Sequence, residues 1–309
     1  VLATAKQPID IPAQLSSLVP AKLAFRLTDR YEYGGLGIPV DEVPEVPGRA
    51  HQSGTGREIQ IAQVHPEGVG AAVEGRGDRA VGRAPHHIEV IPSEVKVPDI
   101  VDAARVFDLE WALPIGIGDH DLSPVGFQLG EGDHVVVAGP PRSGKSTALV
   151  TMASIVAGHR PDVIITAVAM RRSPLRDCPQ VTRLVTDPQQ LEDALSSVPD
   201  DDGLSHLVLV DDAGMGDDEG GWLAAVVACR RPGVHLVAAD HADTLRVAYG
   251  HWTKEVRRSR LGLALKPNAG SDGDLWQTPL PRRGPPHCPP GRGYLVADGH
   301  CELVQTAWQ

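Results

Sequence analysis

The feature that most constrains this chain is the segment Gly139–Thr147, which reads Gly-Pro-Pro-Arg-Ser-Gly-Lys-Ser-Thr. It is a complete G-x-x-x-x-G-K-(S/T) motif between an apolar, strand-like run, Val135–Ala138, and a helix-like run, Ala148–Ala153. In that setting, backbone N–H groups and the positive end of the helix can bind phosphate oxygens. We therefore expect the chain to bind a nucleoside triphosphate, or to descend from a protein that did.

Every residue of this phosphate-binding loop (P-loop) is a candidate nucleotide ligand: Gly139, Pro140, Pro141, Arg142, Ser143, Gly144, Lys145, Ser146 and Thr147. Lys145 is expected to reach the β- and γ-phosphates and so to act in catalysis as well. The Ser146 hydroxyl is the expected protein ligand of Mg²⁺. The motif thus predicts ATP and Mg²⁺ as cofactors.

Two acids follow the apolar run Leu207–Val210, namely Asp211 and Asp212. In P-loop ATPases, the strand beside the loop ends in such an acid, which holds Mg²⁺ through water, and Asp211 is the candidate for that role. Asp212 stands where a water-activating glutamate is common. Its side chain is one methylene shorter, and catalytic geometry tolerates little misplacement. Asp211 and Asp212 therefore support nucleotide binding more strongly than they support ATP hydrolysis. Slow or absent hydrolysis by this chain is one interpretation.

Further candidates are less specific. Asp240 ends the predicted strand His235–Ala239, where it is either a sensor of the γ-phosphate or an ordinary strand-ending acid. Arg257, Arg258 and Arg260 could act in trans on a neighbouring subunit, because an arginine offered across an interface stabilises transition-state charge. Each arginine taken alone is more often solvated or paired with an acid, so both interpretations stay open.

Composition limits the partners. The 309 residues include 40 acidic and 29 basic ones, for a formal charge of −11. This balance argues mildly against nucleic acid as the main partner. No apolar run approaches the length of about 18 residues that a membrane-spanning helix needs.

Strand-like and helix-like segments alternate from residue 88 onward, which predicts an α/β fold with a mostly parallel sheet flanked by helices. The predicted strands besides those above are Leu113–Ile117, Pro124–Phe127 and Asp162–Val168, and the predicted helices are Leu149–Ala157 and Gln189–Leu195.

The chain also contains an internal repeat. Four segments near its start, Val1–Thr4, Lys22–Leu27, Val46–Ala50 and Glu58–Ala62, are similar in order and spacing to four near its end, His235–Ala239, Arg260–Leu265, Pro290–Tyr294 and Glu302–Ala307. We interpret residues 1–64 as the C-terminal fragment of a preceding domain, 65–87 as a linker, and 88–309 as a complete terminal domain.

These motifs together resemble the FtsK/SpoIIIE family of ring-forming motor ATPases. Val1–Pro8 and Val19–Leu27 are similar to late strands of that domain. Within the family, the segments Gly37–Pro39, Pro47–Arg49 and Gly291–Tyr294, with Trp252 ahead of Arg257–Arg260, resemble the C-terminal region of an EccC-type ATPase of type VII secretion. The resemblance covers nearly the whole chain.

The resemblance implies a P-loop NTPase fold of the RecA/FtsK type and a role for ATP in protein export. It also implies a cytoplasmic location on the inner face of the cell membrane, through parts outside this chain. The expected partners are secreted substrate proteins, other subunits of the secretion complex, and further copies of the protein in a hexameric ring. A DNA translocase of the same fold and a nucleotide-binding scaffold without turnover remain the alternatives.

Overall fold

The protein is described by a computed structural model that covers residues 4–39, 45–62, 90–104, 111–200, 203–214, 218–247, 250–282, 284 and 288–308. The chain forms two compact units, Val1–His87 and Ile88–Gln309. The expected linker 65–87 and most of the expected first strand, Val1–Thr4, lie outside the described residues.

The first unit is built around a three-stranded antiparallel sheet in the order β1-β2-β3. Its elements are a 3-10 turn Pro8–Asp10, α1 Ala13–Leu18, β1 Leu23–Ala24, α2 Tyr31–Gly35, β2 Arg49–Gln52 and β3 Glu58–Gln60. Among its described residues, Ala24, Tyr33 and Ile38 form a small buried apolar cluster, and Ala50 of β2 is buried as well. The expected strand Lys22–Leu27 is therefore much shorter than its apolar run indicates, since a small core favours little regular structure.

The second unit contains a ten-stranded sheet in the order β5-β4-β13-β12-β11-β6-β10-β9-β7-β8. Its strands are β4 Ala112–Gly118, β5 Pro124–Gln128, β6 Val135–Ala138, β7 Ile164–Val168, β8 Arg183–Val185, β9 His206–Asp211, β10 Val234–Asp240, β11 Leu261–Leu265, β12 Arg292–Ala297 and β13 His300–Thr306. The six strands from β11 to β8 are parallel, whereas β12, β13, β4 and β5 continue the sheet in antiparallel pairs. The predicted α/β fold is confirmed, with an antiparallel extension.

Helices cover both faces of this sheet. They are α3 Val97–Ala104, α4 Lys145–His159, α5 Leu191–Leu195, α6 Trp222–Ala228, α7 Ala242–Val247 and α8 Thr253–Val256, with 3-10 turns at Pro174–Asp177, Pro188–Gln190, Arg257–Ser259 and Asp272–Leu275. Leu149 and Met152 of α4 belong to one buried cluster, and Leu195 of α5 and Val226 of α6 belong to another. Strands buried on both faces read as continuous apolar runs, which is why β6, β9 and β10 were recognisable in the sequence.

The strand order corrects one detail of the sequence interpretation. The strand that carries Asp211, β9, is not next to the P-loop strand β6, because β10 lies between them and pairs with both. Local sequence identifies a strand by its apolar run, but it does not specify which strands become neighbours after the crossover connections.

The repeat inferred from the sequence has a counterpart in hydrogen bonds. In the first unit, the Arg49 Nε donates to Gln60 Oε1 at 2.9 Å, and the Gln60 Nε2 donates to the carbonyl of Pro47 at 3.0 Å. Gly48, between them, has a φ of +78°, a left-handed conformation that favours glycine.

The second unit repeats this arrangement. The Arg292 Nε donates to Gln305 Oε1 at 2.9 Å, and the Gln305 Nε2 donates to the carbonyl of Pro290 at 2.8 Å. Gly291 also has a φ of +78°. We call this arrangement the Pro-Gly-Arg clamp. In both units it joins the last two strands of an antiparallel triplet, β1-β2-β3 in one and β11-β12-β13 in the other.

Candidate nucleotide-binding site

The P-loop connects β6 to α4 and has the backbone conformation that a phosphate cradle requires. Arg142 and Gly144 have positive φ values of 59° and 102°, and α4 begins at Lys145 with Gly144 as its N-cap. A Cβ atom on Gly139 would lie 2.4 Å from the carbonyl oxygen of Leu265, so only glycine fits there. The loop therefore places the first turn of a long helix directly behind the phosphate position.

Lys145 lies across its own loop. Its Nζ donates to the carbonyl of Gly139 at 2.9 Å and to that of Pro140 at 3.0 Å, and the residue is 7% exposed. Burial lowers the pKa of Lys145, while nearby carboxylates act in the opposite direction, namely those of Asp240, Asp211 and Asp212. The ammonium group therefore faces a cluster of acids while its hydrogen bonds are made to the loop.

Those acids come from the ends of neighbouring parallel strands. Asp211 ends β9 and is paired in register with Ala239 of β10, and Asp240 ends β10 opposite Ala138 of β6. Asp240 is 2% exposed; its Oδ2 accepts from the Gly214 N–H at 2.7 Å and its Oδ1 from the His241 N–H at 2.6 Å. Both strand ends thus lie at the edge of the sheet that carries the P-loop.

Asp212 has an unusual environment for a carboxylate. Its φ of 54° is in the left-handed region, which aspartate tolerates better than most residues. Burial raises the pKa of Asp212, and Asp211 and Asp240 raise it further, while Arg171 and Lys145 lower it. The acid that follows Asp211 is therefore held in a strained conformation with its charged form disfavoured.

Arg171 was not among the candidate residues predicted from the sequence. This residue follows β7, whose Val168 is in register with Val210 of β9, so Arg171 and Asp212 leave neighbouring strands at the same edge. The turn is fixed because the Arg176 Nη2 donates to the carbonyls of residues 169 and 170 at 2.7 and 3.0 Å. An arginine pair separated by two residues from the predicted strand Asp162–Val168, Arg171-Arg172, was the signal that could have identified it.

The remaining loop residues fit a nucleotide with Mg²⁺. Ser143 is 2% exposed, and its Oγ has no hydrogen-bond partner among the described residues, as expected of a polar group that serves a ligand. Gly139, Ser143 and Lys145 are buried, Gly144 and Ser146 are half-buried, and Pro140, Pro141, Arg142 and Thr147 are exposed. Ser146, in the first turn of α4, and Asp211 are placed at the same edge and are the side chains that would hold Mg²⁺.

The three arginines that could act in trans, Arg257, Arg258 and Arg260, form a basic cluster away from the P-loop. The 3-10 turn Arg257–Ser259 precedes β11, whose first residue pairs with Val135 at the start of β6, and Ser259 accepts a hydrogen bond from the His134 N–H at 2.9 Å. Arg257, Arg258 and Arg260 therefore lie at the edge opposite the P-loop of their own unit. The Arg258 Nη1 is 2.6 Å from Glu255 Oε2 in an exposed ion pair. A role in trans stays a prediction.

Within the ranges that the structure describes, no helix is both long and apolar enough to cross a membrane.

The strand order and the P-loop define the fold of a P-loop NTPase domain. Several solved structures share this fold. One contains the ATPases 2 and 3 of Thermomonospora curvata EccC in complex with a signal sequence peptide. It matches with 20% sequence identity and a TM-score of 0.60, over 96% of this chain and 60% of that chain. The ATPases 2 and 3 of Geobacillus thermodenitrificans EssC match with 17% identity and a TM-score of 0.61 over 98% of this chain and 63% of that chain.

The cytoplasmic domain of the type VII secretion ATPase EccC of T. curvata matches with 20% identity and a TM-score of 0.59, over 86% of this chain and 35% of that chain. The chain thus spans less than two thirds of the length of each of these three structures. No protein-family model and no curated protein sequence matches it. At this identity the likeness is one of fold, and it confirms the expected resemblance to EccC-type ATPase domains at that level.

Proposed function

We propose that the second unit binds ATP with Mg²⁺ at the P-loop edge of its sheet. The observation that carries this proposal is the position of Lys145, which is held across the P-loop and faces the carboxylates of Asp211 and Asp240. A cation, a helix N-terminus and strand-end acids at one edge are the parts that phosphoryl transfer requires.

Each residue has a proposed role in this site. The loop N–H groups and Lys145 bind and orient the phosphates, while Ser146 and Asp211 hold the metal, the latter through water. Mg²⁺, when bound, offsets the negative charge of the phosphate oxygens. Asp212 orients the attacking water in its ionised form, and Asp240 acts either as a phosphate sensor or only as a structural acceptor for Gly214.

We further propose that residues 88–309 are the terminal ATPase domain of a protein-export motor and that 1–64 are the C-terminal part of a preceding one, joined by the linker 65–87. The shared Pro-Gly-Arg clamp supports the relation between the units. The EccC relative was solved with a signal sequence peptide, which supports secreted proteins as partners. The same hypothesis includes a hexameric ring, other secretion subunits and a place on the cytoplasmic face of the membrane.

A scaffold that binds ATP without turnover is the second candidate function. The length and conformation of Asp212 favour it, because a carboxylate one methylene shorter, on a left-handed backbone, places its oxygens differently from the usual glutamate. A DNA translocase is the third, and the net charge of −11 disfavours it.

The site assignment is tested by Lys145→Ala, measured as the affinity for a fluorescent ATP analogue. Lysine supplies much of the cationic contact to the phosphates, so we expect a loss of at least about tenfold. Lys254→Ala is the matched control, because Lys254 is exposed on α8, which ends just ahead of the basic cluster at the opposite edge. Unchanged affinity in Lys145→Ala would contradict the site.

The partner class is tested separately. Pull-down of candidate secreted proteins is compared with pull-down of double-stranded DNA at physiological salt. Retention of the secreted proteins and not of the DNA supports export, whereas the reverse result supports the translocase.

A further inference from the structure

Arg171, in the turn after β7, is exposed at the P-loop edge of the sheet, and the mechanism above gives it no role. β7 pairs with β9, the strand that ends just before Asp212, and neighbouring strands lie about 5 Å apart. Val168 of β7 is in register with Val210 of β9, so Arg171 and Asp212 follow a paired position by three and two residues. The two residues therefore leave the same end of adjacent strands.

The backbone around Arg171 is held in place, whereas its side chain is not. The Arg176 Nη2 donates to the carbonyls of the two residues before Arg171, at 2.7 and 3.0 Å. On the other side, the Oγ of Ser173, which is 6% exposed, accepts from the Leu175 N–H at 3.2 Å. No hydrogen bond or ion pair joins the Arg171 side chain to another residue in the part of the chain that the structure describes. A fixed backbone with an uncommitted charge suits a group that serves a ligand.

Cations and acids follow one another along this edge of the sheet. In the strand order β6-β10-β9-β7, Lys145 comes after β6, Asp240 ends β10, Asp212 comes after β9 and Arg171 comes after β7. Burial raises the pKa of Asp212, and the cations that oppose this shift are Arg171 and Lys145. Asp212 therefore has Lys145 on its P-loop side and Arg171 on its far side.

This order matters because the transferred phosphoryl group moves along it. In the proposed site, Lys145 binds the phosphates and Asp212 orients the attacking water. The bond between the γ-phosphorus and the bridging oxygen breaks, and its electron pair stays with ADP. The water oxygen bonds to the phosphorus, and one proton of the water passes to the released phosphate. The group in transfer therefore shifts away from the P-loop towards β9 and β7, with its charge spread over the equatorial oxygens.

We propose that Arg171 is a catalytic arginine that acts in cis and contacts the γ-phosphoryl group from the side of the attacking water. The inference rests on the proposed function and adds to it a transition-state contact supplied by the same chain. Arg257, Arg258 and Arg260 lie at the opposite edge, away from the site of their own unit. Lys145 binds the phosphates before transfer, whereas Arg171 meets charge that moves towards it during transfer. Loss of Arg171 should therefore weaken binding of the transition state more than binding of the nucleotide.

ADP with aluminium fluoride, a mimic of the group in transfer, tests this contact without requiring turnover. The affinities of ADP alone and of ADP with aluminium fluoride are measured by calorimetry in the presence of Mg²⁺. Compared with the wild type, Arg171→Ala should bind the fluoride complex at least about tenfold more weakly, while its affinity for ADP changes less than about twofold. Arg171→Lys should recover part of the loss, because it keeps the charge but not the planar guanidinium.

Arg172→Ala is the matched control. Arg172 is exposed on the same turn, but it is not among the charges that act on Asp212. Its alanine variant should bind ADP and the fluoride complex as the wild type does. Because Arg171 is exposed as well, Arg171→Ala should fold and should have the same urea unfolding curve as Arg172→Ala.

Mixing two variants separates action in cis from action in trans. Lys145→Ala chains lack the P-loop cation, and Arg171→Ala chains lack the proposed contact. If Arg171 acts within its own chain, every site in an equimolar mixture still lacks one of the two groups, and tight binding of the fluoride complex should not return. Its return in the mixture would show that Arg171 serves a neighbouring copy and would overturn the inference.

Two further results would overturn the inference and leave the proposed function standing. In the first, ADP binds, but the fluoride complex binds equally well to the wild type and to Arg171→Ala. In the second, the wild type binds the fluoride complex no more tightly than it binds ADP. Failure of the wild type to bind ADP or ATP at all would overturn both the inference and the proposed function.

Discussion

Asp240 accepts a hydrogen bond from the backbone N–H of Gly214 at 2.7 Å, which ties the end of β10 to the turn that carries Asp212. A Cβ on Gly214 would lie 2.4 Å from Thr244 Cγ2 and 2.8 Å from Asp240 Oδ2, so the turn packs tightly against α7. The buried Asp240 carboxylate therefore does two things at once: it shapes the backbone around Asp212 and disfavours the charged form of that acid.

Replacing Asp240 by alanine should remove both effects, and comparison with Asp240→Asn, which removes only the charge and one acceptor oxygen, should separate them. The variant loses the acceptor for two backbone N–H groups, and we expect its free energy of unfolding in urea to fall by about 2 to 3 kcal/mol. The pKa of Asp212 should fall in the same variant, because a neighbouring negative charge is removed. Asp240→Asn, which keeps one acceptor oxygen, should lose less stability. Wild-type stability in Asp240→Ala would show that these hydrogen bonds contribute nothing.

Asp212→Glu tests whether the short carboxylate limits turnover. If reach is limiting, single-turnover hydrolysis should be faster than in the wild type by about tenfold, since near-attack geometry depends steeply on position. Glutamate is less tolerant of a φ of 54°, so a parallel unfolding measurement should show a loss of about 1 kcal/mol. Asp212→Asn is the non-ionisable control and should hydrolyse most slowly. Equal rates in the wild type and Asp212→Glu would reject the argument from reach.

Arg171 and Arg172 provide a matched pair. Both are exposed on the same turn, but the charge of Arg171 is the one that favours ionised Asp212. Arg171→Gln should therefore raise the pKa of Asp212 further above its usual range, whereas Arg172→Gln should leave it unchanged. A carbon-13 NMR titration of the aspartate carboxyl groups measures this without nucleotide. An identical Asp212 titration in both variants would mean that the two arginines do not differ.

Stability should fall in mild acid because of His235 on β10. Its Nδ1 and the Asp133 carbonyl oxygen are 2.8 Å apart, its ring lies 4.5 Å from that of Trp111, and burial lowers its pKa to about 4. The unfolded chain binds the proton first, so the contribution is complete above pH 6.5 and is lost as the pH falls towards 4. The loss is at most about 3 kcal/mol.

Urea unfolding at pH 7 and pH 4.5 measures this effect in the wild type and in His235→Phe, which keeps an aromatic ring and does not titrate. The difference between the two pH values should be smaller in the variant. His134 stays in both proteins, and burial lowers its pKa too, so some acid sensitivity remains. The same pH dependence of stability in both proteins would show that His235 does not cause the loss of stability in acid.

The P-loop and the ends of the strands could be predicted because a short, continuous stretch of sequence specifies each of them. The Gly139–Thr147 motif specifies a strand-to-helix turn, and the apolar runs of β6, β9 and β10 are long enough to be buried on both faces. The acids at the ends of those strands had to meet at one edge, because the strands are parallel.

The neighbours of these elements could not be predicted in the same way. The position of β10 between β6 and β9 depends on crossover connections, and no local signal records it. Arg171 approaches Asp212 only through the pairing of β7 with β9, and the basic cluster Arg257–Arg260 lies at the opposite edge because it precedes its strand. The sequence predicted candidate side chains for the site, whereas the fold determines which of them lie close together.

The Pro-Gly-Arg clamp of the second unit has a mechanical consequence. Arg292 binds the carbonyl of Pro92, where the chain enters the described part of this unit, and also Gln305, close to where the chain leaves it. A pull on the entering end therefore reaches the buried guanidinium of Arg292 early, whereas a pull on the leaving end first meets the carbonyl of Ala307, which accepts from Thr151 Oγ1 of α4 at 2.9 Å. In a protein that works under load, this arrangement would couple tension at the leaving end to α4, the helix that begins at Lys145 of the P-loop.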